Sequence, residues 1–305
     1  QIINDIKDKS TGLNIISLYG KTKKPIPKDL KDIEIIVFDL QDVGARFYTY
    51  LSTLHYVMQA CAENDIPIII LDRPNPNGHY VDGPILDLKF QTFVGMHPVP
   101  IVHGMTLGEY AKMINGEEWL GKNLKCKLQI VKIKNYTHNT RYILPVRPSP
   151  NLPNNQSILL YPSLCLLEPT TVSIGRGTEK QFQIYGHPNF PKSKFTFKPS
   201  PNFGSKTPKW NGNLCNGVSL EKIKVSDQLN LNWLIDAYEK LPKKYIFFKD
   251  SFERIAGTDK LRKQIINKIS INDIRRSWEA GLTNFKKIRK KYLIYPDYDL
   301  NSFEN

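Results

Sequence analysis

The chain has 305 residues, 40% of them hydrophobic, and carries a formal net charge of +14 at neutral pH. A chain of this length buries a substantial core as one large domain or two of ordinary size, and we expect two. No apolar run approaches the roughly 20 residues that cross a bilayer, so no membrane span is expected. The first residue is not Met, and we expect any targeting signal to lie upstream of it.

The positive charge favours an anionic partner, such as a nucleic acid, a wall polymer or an acidic glycan. The basic residues are scattered along the chain, and the run at residues 286–291 is typical of a solvated helix face. No recognisable nucleic-acid-binding motif accompanies them. Nucleic-acid binding is therefore not expected.

The cysteines and histidines lack the spacing of a metal site. The four cysteines form no CxxC pair, and each lies in an apolar or strand-like segment where a free thiol is commonly buried. His79, His97 and His187 share no ligand spacing. We therefore predict no metal site.

The first regular elements predict a βαβ unit of parallel sheet. Residues 33–39 are a short apolar run that ends in Asp39, which indicates a strand buried on both faces. A helix is predicted over residues 48–64 and a second buried strand over residues 67–72. Ligands collect beyond the carboxyl ends of such strands, which is where Asp39 and Asp72 lie.

Further along, Thr106 and Glu109 have the spacing of a capping box, which predicts the start of another helix. The pattern changes after about residue 178 to that of a smaller α+β unit. Its predicted strands and helices are residues 195–197, 217–220, 229–241 and 273–290. We predict a Rossmann-like parallel sheet with helices on both faces over residues 1–185, and an α+β auxiliary domain over residues 186–305.

A polar cluster follows the first predicted strand. Asp39, Gln41, Asp42 and Arg46 lie within eight positions, where the strand gives way to a loop and then a helix. A carboxyl group near a second carboxylate, or in a dry pocket, has its pKa raised and can donate a proton, while an Arg can bind an anionic substrate through two hydrogen bonds. The two acids could instead cap the following helix, with Arg46 neutralising them.

Later segments offer groups that suit a sugar. Arg73 and Asn75 place a guanidinium and an amide on a stiff loop, although the loop could equally be a plain turn. His103 precedes a helix start and either faces a ligand or is structural. Glu168 and Arg176 could line a sugar site or form a buried ion pair. The glycine-rich segment around Arg176 lacks the Lys-Ser/Thr pair of a phosphate loop, so a nucleotide site is not expected.

Six short motifs, in unbroken order between about Leu13 and Tyr295, together resemble one bacterial family. They are Ser17-Leu18-Tyr19-Gly20, the segment 38–50, Leu71-Asp72-Arg73-Pro74-Asn75-Pro76, His103-Gly104-Met105-Thr106, Pro148-Ser149-Pro150-Asn151-Leu152-Pro153 and Gly175-Arg176-Gly177-Thr178. The family is that of the exo-acting β-N-acetylmuramidases, long catalogued as a domain of unknown function.

The resemblance implies hydrolysis of a non-reducing terminal N-acetylmuramic acid from peptidoglycan fragments. It also implies a Rossmann-like domain joined to a smaller auxiliary domain, an active site in the cleft between them, no cofactor, and export to the periplasm or the cell exterior. The partner would be a peptidoglycan-derived glycan or muropeptide. A non-catalytic module that binds wall glycans is the alternative.

On this resemblance we place the catalytic carboxyl groups at Asp39, Asp42 and Glu168. The substrate-binding candidates are Gln41, Arg46, Tyr48, Arg73, Asn75, His103, Ser149, Asn151 and Arg176. Arg46, Arg73 or Arg176 is expected to bind the lactyl carboxylate of the sugar.

The sequence departs from the family pattern in two places. Family members carry, upstream of the position of Gln1, a Gly-Pro-Glu-His-Gly-like motif whose Glu is the leading catalytic candidate, and a sheet without its first strands is expected to have an exposed edge. The family also tends to have Gly after the Glu168 position, where this chain has Pro169. Because proline fixes the backbone, Glu168 is expected to point differently.

Overall fold

The structure is a computed structural model that describes residues 6–20 and 22–298. Its strands are β1 (Ile6–Lys7), β2 (Asn14–Ile15), β3 (Ile36–Phe38), β4 (Ile68–Leu71), β5 (Leu128–Val131), β6 (Ile184–His187), β7 (Thr196–Phe197) and β8 (Cys215–Ser219). Its helices are α1 (Tyr50–Glu63), α2 (Leu107–Gly116), α3 (Asn155–Leu164), α4 (Asn232–Lys240), α5 (Phe252–Ala256), α6 (Lys260–Ile266) and α7 (Ile271–Lys290).

The first half of the chain is built on a parallel sheet in the order β3, β4, β5. Side chains alternate across each strand, so Phe38, Ile68 and Ile70 lie on one face. They pack against the apolar sides of α1 and α2 in a single core. Thr106 caps α2 in the capping box that the sequence predicts. The predicted βαβ unit is confirmed, with the carboxyl ends of β3 and β4 at one edge.

The opposite face of this sheet is apolar and uncovered by the described residues. Val37, Leu71 and Val131 are 54%, 36% and 47% exposed. Parallel sheets are normally covered on both faces, so the predicted helices on a second face are not found among residues 6–20 and 22–298. Strand β3 pairs only with β4 among the described strands, which gives the sheet the exposed edge that was expected.

The second half holds an antiparallel sheet in the order β6, β8, β7, and helices α4 to α7. Residue 185, the predicted domain boundary, lies inside β6, which pairs with β8. The change of architecture therefore precedes that residue, and the division into domains at 185 stays a prediction. One hydrophobic core runs through both halves, from Val43 and Phe47 to Phe252 and Trp278.

The end of the described chain returns to the parallel sheet. Arg289, in the last turn of α7, donates two hydrogen bonds to the carbonyl of Gly104. The hydroxyl of Tyr295 donates to the Asp72 carboxylate at 2.7 Å. Asp72 also accepts from Thr106 Oγ1 and the amide of Gly108. Its oxygens therefore join the end of β4 to the start of α2 and to Tyr295.

Candidate active site

The loops after β3 and β4 meet through an ion pair. The guanidinium of Arg73 donates to both carboxylate oxygens of Asp39, at 2.5 and 2.9 Å. The Arg73 hydrogen bond holds the pKa of Asp39 below its usual value. Gln41 joins the same two loops, because its amide donates to the carbonyls of Asp42 and Pro74 at 2.8 Å. Asp39 is therefore an ionised carboxylate on an ordered rim.

Asp42 lies three residues further on and has the opposite environment. Its carboxyl group is 7% exposed and accepts the amide of Gly44 at 2.7 Å through Oδ2. Its Oδ1 has no hydrogen-bond partner among the described residues. Burial raises the pKa of Asp42 from 3.8 to about 7. Two carboxyl groups that follow the same strand thus have pKa values shifted in opposite directions.

Gly44 shapes this loop, and its replacement is expected to destabilise the fold. Its φ is +79°, and a Cβ there would overlap the amide of Asn75. We expect Gly44→Ala to lower the free energy of unfolding by about 2–4 kcal/mol, measured by urea unfolding, because strain and overlap add. Gly12→Ala is the matched control, since Gly12 has φ +73° with nothing within 4 Å. Equal losses in both variants would contradict the overlap.

His103 lies close to Asp42 but is closed to a substrate. Its ring is fully buried, and burial lowers its pKa to about 3, so the imidazole is neutral. Nδ1 accepts the amide of Met105 at 3.3 Å, which places the proton on Nε2, 3.9 Å from Asp42 Oδ2. The expectation that His103 binds the sugar is corrected: it packs behind Asp42.

Arg46 and Asn75 are also corrected from substrate-binding to structural roles. Arg46 is 1% exposed, and its four short hydrogen bonds go to backbone carbonyls. They are those of Pro84, Val99, Ile255 and Ala256, at 2.8–2.9 Å. The buried amide of Asn75 donates to Met105 O and accepts from the amide of Asn77. Arg46 Nε has no partner among the described residues, but it is buried with the rest of the guanidinium, so neither side chain reaches the rim.

The proline-rich segment 147–153 carries a second group of polar residues, next to Tyr48. The hydroxyl of Tyr48 donates to the carbonyl of Pro148 at 2.8 Å. Ser149 Oγ accepts the amide of Asn151, whose own side chain donates to Gly204 O at 2.8 Å. The carbonyl oxygen of the Asn151 side chain is buried and has no partner among the described residues.

Glu168 and Arg176 form a third group, in a pocket of about 170 Å³. Arg176 Nε donates to the Glu168 carboxylate. The pocket is also lined by Ser173, Ser205 and Lys209. Pro169 follows directly, yet the Glu168 side chain is 23% exposed and open to the pocket. The structure therefore supports the ion pair that the sequence left open, within a polar pocket.

Aromatic rings lie between the proline-rich segment and this pocket. Tyr161 on α3 lies edge-on to Tyr48, with centroids 5.9 Å apart, and to Phe182, at 4.8 Å. The guanidinium of Arg176 lies 5.1 Å from the Phe182 ring centre. Tyr48 in turn contacts Tyr50 at 5.1 Å. Phe182 and Tyr161 are 1% and 8% exposed, so these rings form the buried support of the pocket beside Arg176.

Two of these residues were not identified from the sequence. Tyr161 belongs to α3, which was not predicted because Pro162 lies inside it and a proline-rich loop precedes it. Its N-cap, Asn154, forms a capping box with Ser157, and that spacing could have indicated the helix. Lys209 lies far along the chain in a segment without regular structure.

No three His, Cys, Asp or Glu side chains in residues 6–20 and 22–298 lie together as a metal site would require. In the same part of the chain, no helix is long and apolar enough to cross a membrane.

A carboxyl group of raised pKa and an ionised one after the same strand, a polar loop and an arginine-lined pocket are together typical of an α/β protein with a carbohydrate-active site. The chain matches the family models "Exo-beta-N-acetylmuramidase NamZ, N-terminal" over residues 1–156 and "Exo-beta-N-acetylmuramidase NamZ, C-terminal" over residues 159–295. The chain therefore belongs to the exo-beta-N-acetylmuramidase NamZ family, as the six motifs indicate.

Individual relatives agree with this. The peptidoglycan beta-N-acetylmuramidase NamZ of Bacillus subtilis (strain 168) is 39% identical over 314 residues, which cover 94% of this chain and 74% of the relative. A crystal structure of a DUF1343 family protein from Bacteroides fragilis NCTC 9343 matches 96% of this chain and 82% of its own, with 49% identity and a TM-score of 0.91. A second such protein from that strain matches 95% and 82%, with 28% identity and a TM-score of 0.80. These likenesses confirm the α/β fold class.

Proposed function

We propose that this chain is a glycoside hydrolase that releases N-acetylmuramic acid from the non-reducing end of peptidoglycan fragments. Family membership and the named Bacillus subtilis relative support the reaction class and the polymer. The observation that carries the proposal to this site is the different environment of two carboxyl groups three residues apart in the sequence: Asp42 is buried and has a pKa of about 7, whereas Asp39 is paired with Arg73 and ionised.

Glycosidases generally need one carboxylic acid that protonates the leaving oxygen and one carboxylate that acts as base, nucleophile or electrostatic stabiliser. Asp42 suits the first role, because burial keeps its proton near neutral pH. Asp39 and Glu168 are the candidates for the second role. The family resemblance also implies a Glu upstream of Gln1, and that residue is the competing candidate for proton donor.

The substrate-binding groups are proposed to lie around these acids. Arg176 opens into the pocket beside Glu168, and Arg73 lies half-exposed on the rim. Either guanidinium offers paired donors to the lactyl carboxylate of N-acetylmuramic acid. Hydroxyl and acetamido groups would meet the loop of Ser149 and Asn151, beside Tyr48. The net charge of +14 favours the approach of an anionic glycan.

The test is incubation of a chromogenic N-acetylmuraminide with the 305-residue chain and with the protein isolated from its natural source, each beside Glu168→Gln. We expect release by the natural protein and a loss of about 10²-fold or more in kcat for Glu168→Gln, because a carboxylate in the site is removed. Glu239→Gln on α4 is the control and keeps full activity.

Absence of release by both forms, while the Bacillus subtilis relative releases the chromophore, would overturn the proposal. Calorimetry with muramic-acid glycans then distinguishes the alternative, since binding without product is what a non-catalytic wall-binding module predicts. We further propose that the protein is exported, because peptidoglycan lies outside the cytoplasmic membrane. Cell fractionation with an antibody tests this, and a purely cytoplasmic location would contradict it.

A further inference from the structure

One long loop forms hydrogen bonds to the segment that carries Glu168 and Arg176. Residues 199–213, between β7 and β8, form a strap across it. Lys209 in this strap points its ammonium at the turn that contains Glu168. Its Nζ donates to the carbonyls of Glu168 at 2.8 Å, Val172 at 3.0 Å and Leu167 at 3.3 Å.

Other parts of the strap bind the rest of the same segment. The indole of Trp210 donates to Thr171 O at 2.7 Å. The amide of Ser200 donates to Gly177 O at 2.8 Å, and the Asn202 side chain donates to Thr178 O at 3.2 Å. The strap thus fixes both ends of the segment that runs from Glu168 to Thr178. Lys209 is its charged contact at the Glu168 end.

The donors of Lys209 are fully used by this turn. An ammonium group has three N–H donors, and three carbonyls receive them. Although Lys209 lines the pocket, it has no donor left over for a ligand. Its carbonyl partners include the residue that bears the Glu168 carboxylate. Its effect on a reaction would therefore pass through the position of Glu168.

We propose that Lys209 is a positioning residue for Glu168, whose backbone its charge holds in place beside Arg176. The inference rests on the proposed function, because it assigns Glu168 a part in the reaction. Hydrogen bonds from a charged donor are stronger than neutral ones, and a shift of about 1 Å in a reacting group can cost roughly 10²-fold in rate. Loss of the charge would therefore slow the reaction.

The charge of Lys209 is sensitive to alkaline pH. Burial lowers its pKa to about 8; among the groups that face it, Glu168 and Cys165 oppose this shift, and Lys249 and Arg176 add to it. A neutral amine has two N–H donors and a lone pair, so it would leave one of the three carbonyls without a partner. Above about pH 8 the turn is expected to loosen.

The experiment compares Lys209→Met, Lys209→Arg and the control Lys206→Met, which alters an exposed lysine of the same strap. For each of these proteins, kcat and KM for the chromogenic muraminide are measured between about pH 6 and 10. We expect Lys209→Met to lower kcat about tenfold to hundredfold with a smaller change in KM. Lys209→Arg stays charged, so we expect its kcat to fall at a higher pH than the kcat of the wild type. Lys206→Met matches the wild type.

Hydrogen exchange over residues 167–178 is measured on the same proteins, and it does not depend on activity. We expect wild-type protection to fall above about pH 8 after correction for the intrinsic rate, and Lys209→Met to lack that protection throughout. Wild-type kcat in Lys209→Met, or an unchanged alkaline limb in Lys209→Arg, would overturn the inference. If no protein releases product but exchange follows the expected pattern, the proposed function is wrong and Lys209 still holds the turn at Glu168. If exchange in Lys209→Met is unchanged, Lys209 does not hold this turn.

Discussion

Arg46→Ala is expected to lower the free energy of unfolding by about 3–5 kcal/mol, the largest loss among single substitutions considered for this chain. Arg46 is a buried cation, and in the described part of the chain it has no carboxylate within ion-pair distance. Four backbone carbonyls accept from its two terminal NH2 groups instead, two from residues 84 and 99 and two from residues 255 and 256, while Nε has no partner among the described residues. Removing the guanidinium would leave these buried acceptors without donors.

The position of those acceptors adds to the expected effect. Residues 255 and 256 belong to α5, in the second half of the chain, so Arg46 ties that half to the loop after β3. Arg46→Lys is expected to recover only part of the loss, because an ammonium has three donors for four carbonyls and lacks the planar fork. Urea unfolding measures both variants. Arg276→Ala on the exposed side of α7 is the control, and a loss as small as its own in Arg46→Ala would refute the structural role.

Asp42→Asn is expected to reduce kcat by about 10²–10⁴-fold while the protein remains folded. The amide has nearly the shape of the carboxyl group and keeps an acceptor for the amide of Gly44, but it has no proton of suitable acidity to give. Wild-type activity should fall as the pH rises through about 7, where Asp42 loses its proton. The pH dependence of kcat measures this limb, which lies below the one assigned to Lys209.

The same substitution is expected to stabilise the protein at alkaline pH. Because burial raises the pKa of Asp42 from 3.8 to about 7, the folded protein holds a proton that the unfolded chain has already lost between these values. The contribution of Asp42 to wild-type stability therefore decreases as the pH rises from about 4 to 7 and is constant above that range. Asn carries no charge, so Asp42→Asn should be more stable by on the order of 2–4 kcal/mol at about pH 8, and equally stable at about pH 4.

Asp39→Asn provides the opposite case. Arg73 lowers the pKa of Asp39, so the ion pair contributes stability above the unfolded pKa and loses it as the pH falls. Removing this half-exposed pair is expected to cost less than about 1 kcal/mol at neutral pH. Thermal melts across the pH range compare the two variants with the wild type.

For Asp42→Asn, a loss of stability at alkaline pH would contradict the prediction, because it would mean that the fold stabilises the Asp42 carboxylate.

The sequence predicted most of the elements that position the site. Apolar runs ending in Asp39 and Asp72 located β3 and β4, and the helix between them was found within about two residues of its ends. These segments have strong local patterns, with buried apolar side chains at regular spacing. Helix α3 was missed because Pro162 and the preceding prolines outweighed its capping box.

The site was harder to predict, since burial is decided by the whole fold. Arg46 and Asn75 lie between residues that stay site candidates, yet each is enclosed by segments distant in sequence. A residue type and its neighbours could not distinguish a ligand-binding guanidinium from one that binds carbonyls of residues 255 and 256. The low pKa of Asp39 and the high pKa of Asp42 likewise depend on Arg73 and on tertiary burial.

The central claim is that the protein removes a terminal N-acetylmuramic acid from peptidoglycan glycans, with Asp42 as the proton donor. The direct measurement is mass spectrometry of the products formed from a defined disaccharide that carries no peptide stem and has N-acetylmuramic acid at its non-reducing end. The wild-type protein is predicted to yield free N-acetylmuramic acid, and Asp42→Asn, shown to be folded, is predicted to yield almost none. Equal product from Asp42→Asn and the wild type would contradict the claim.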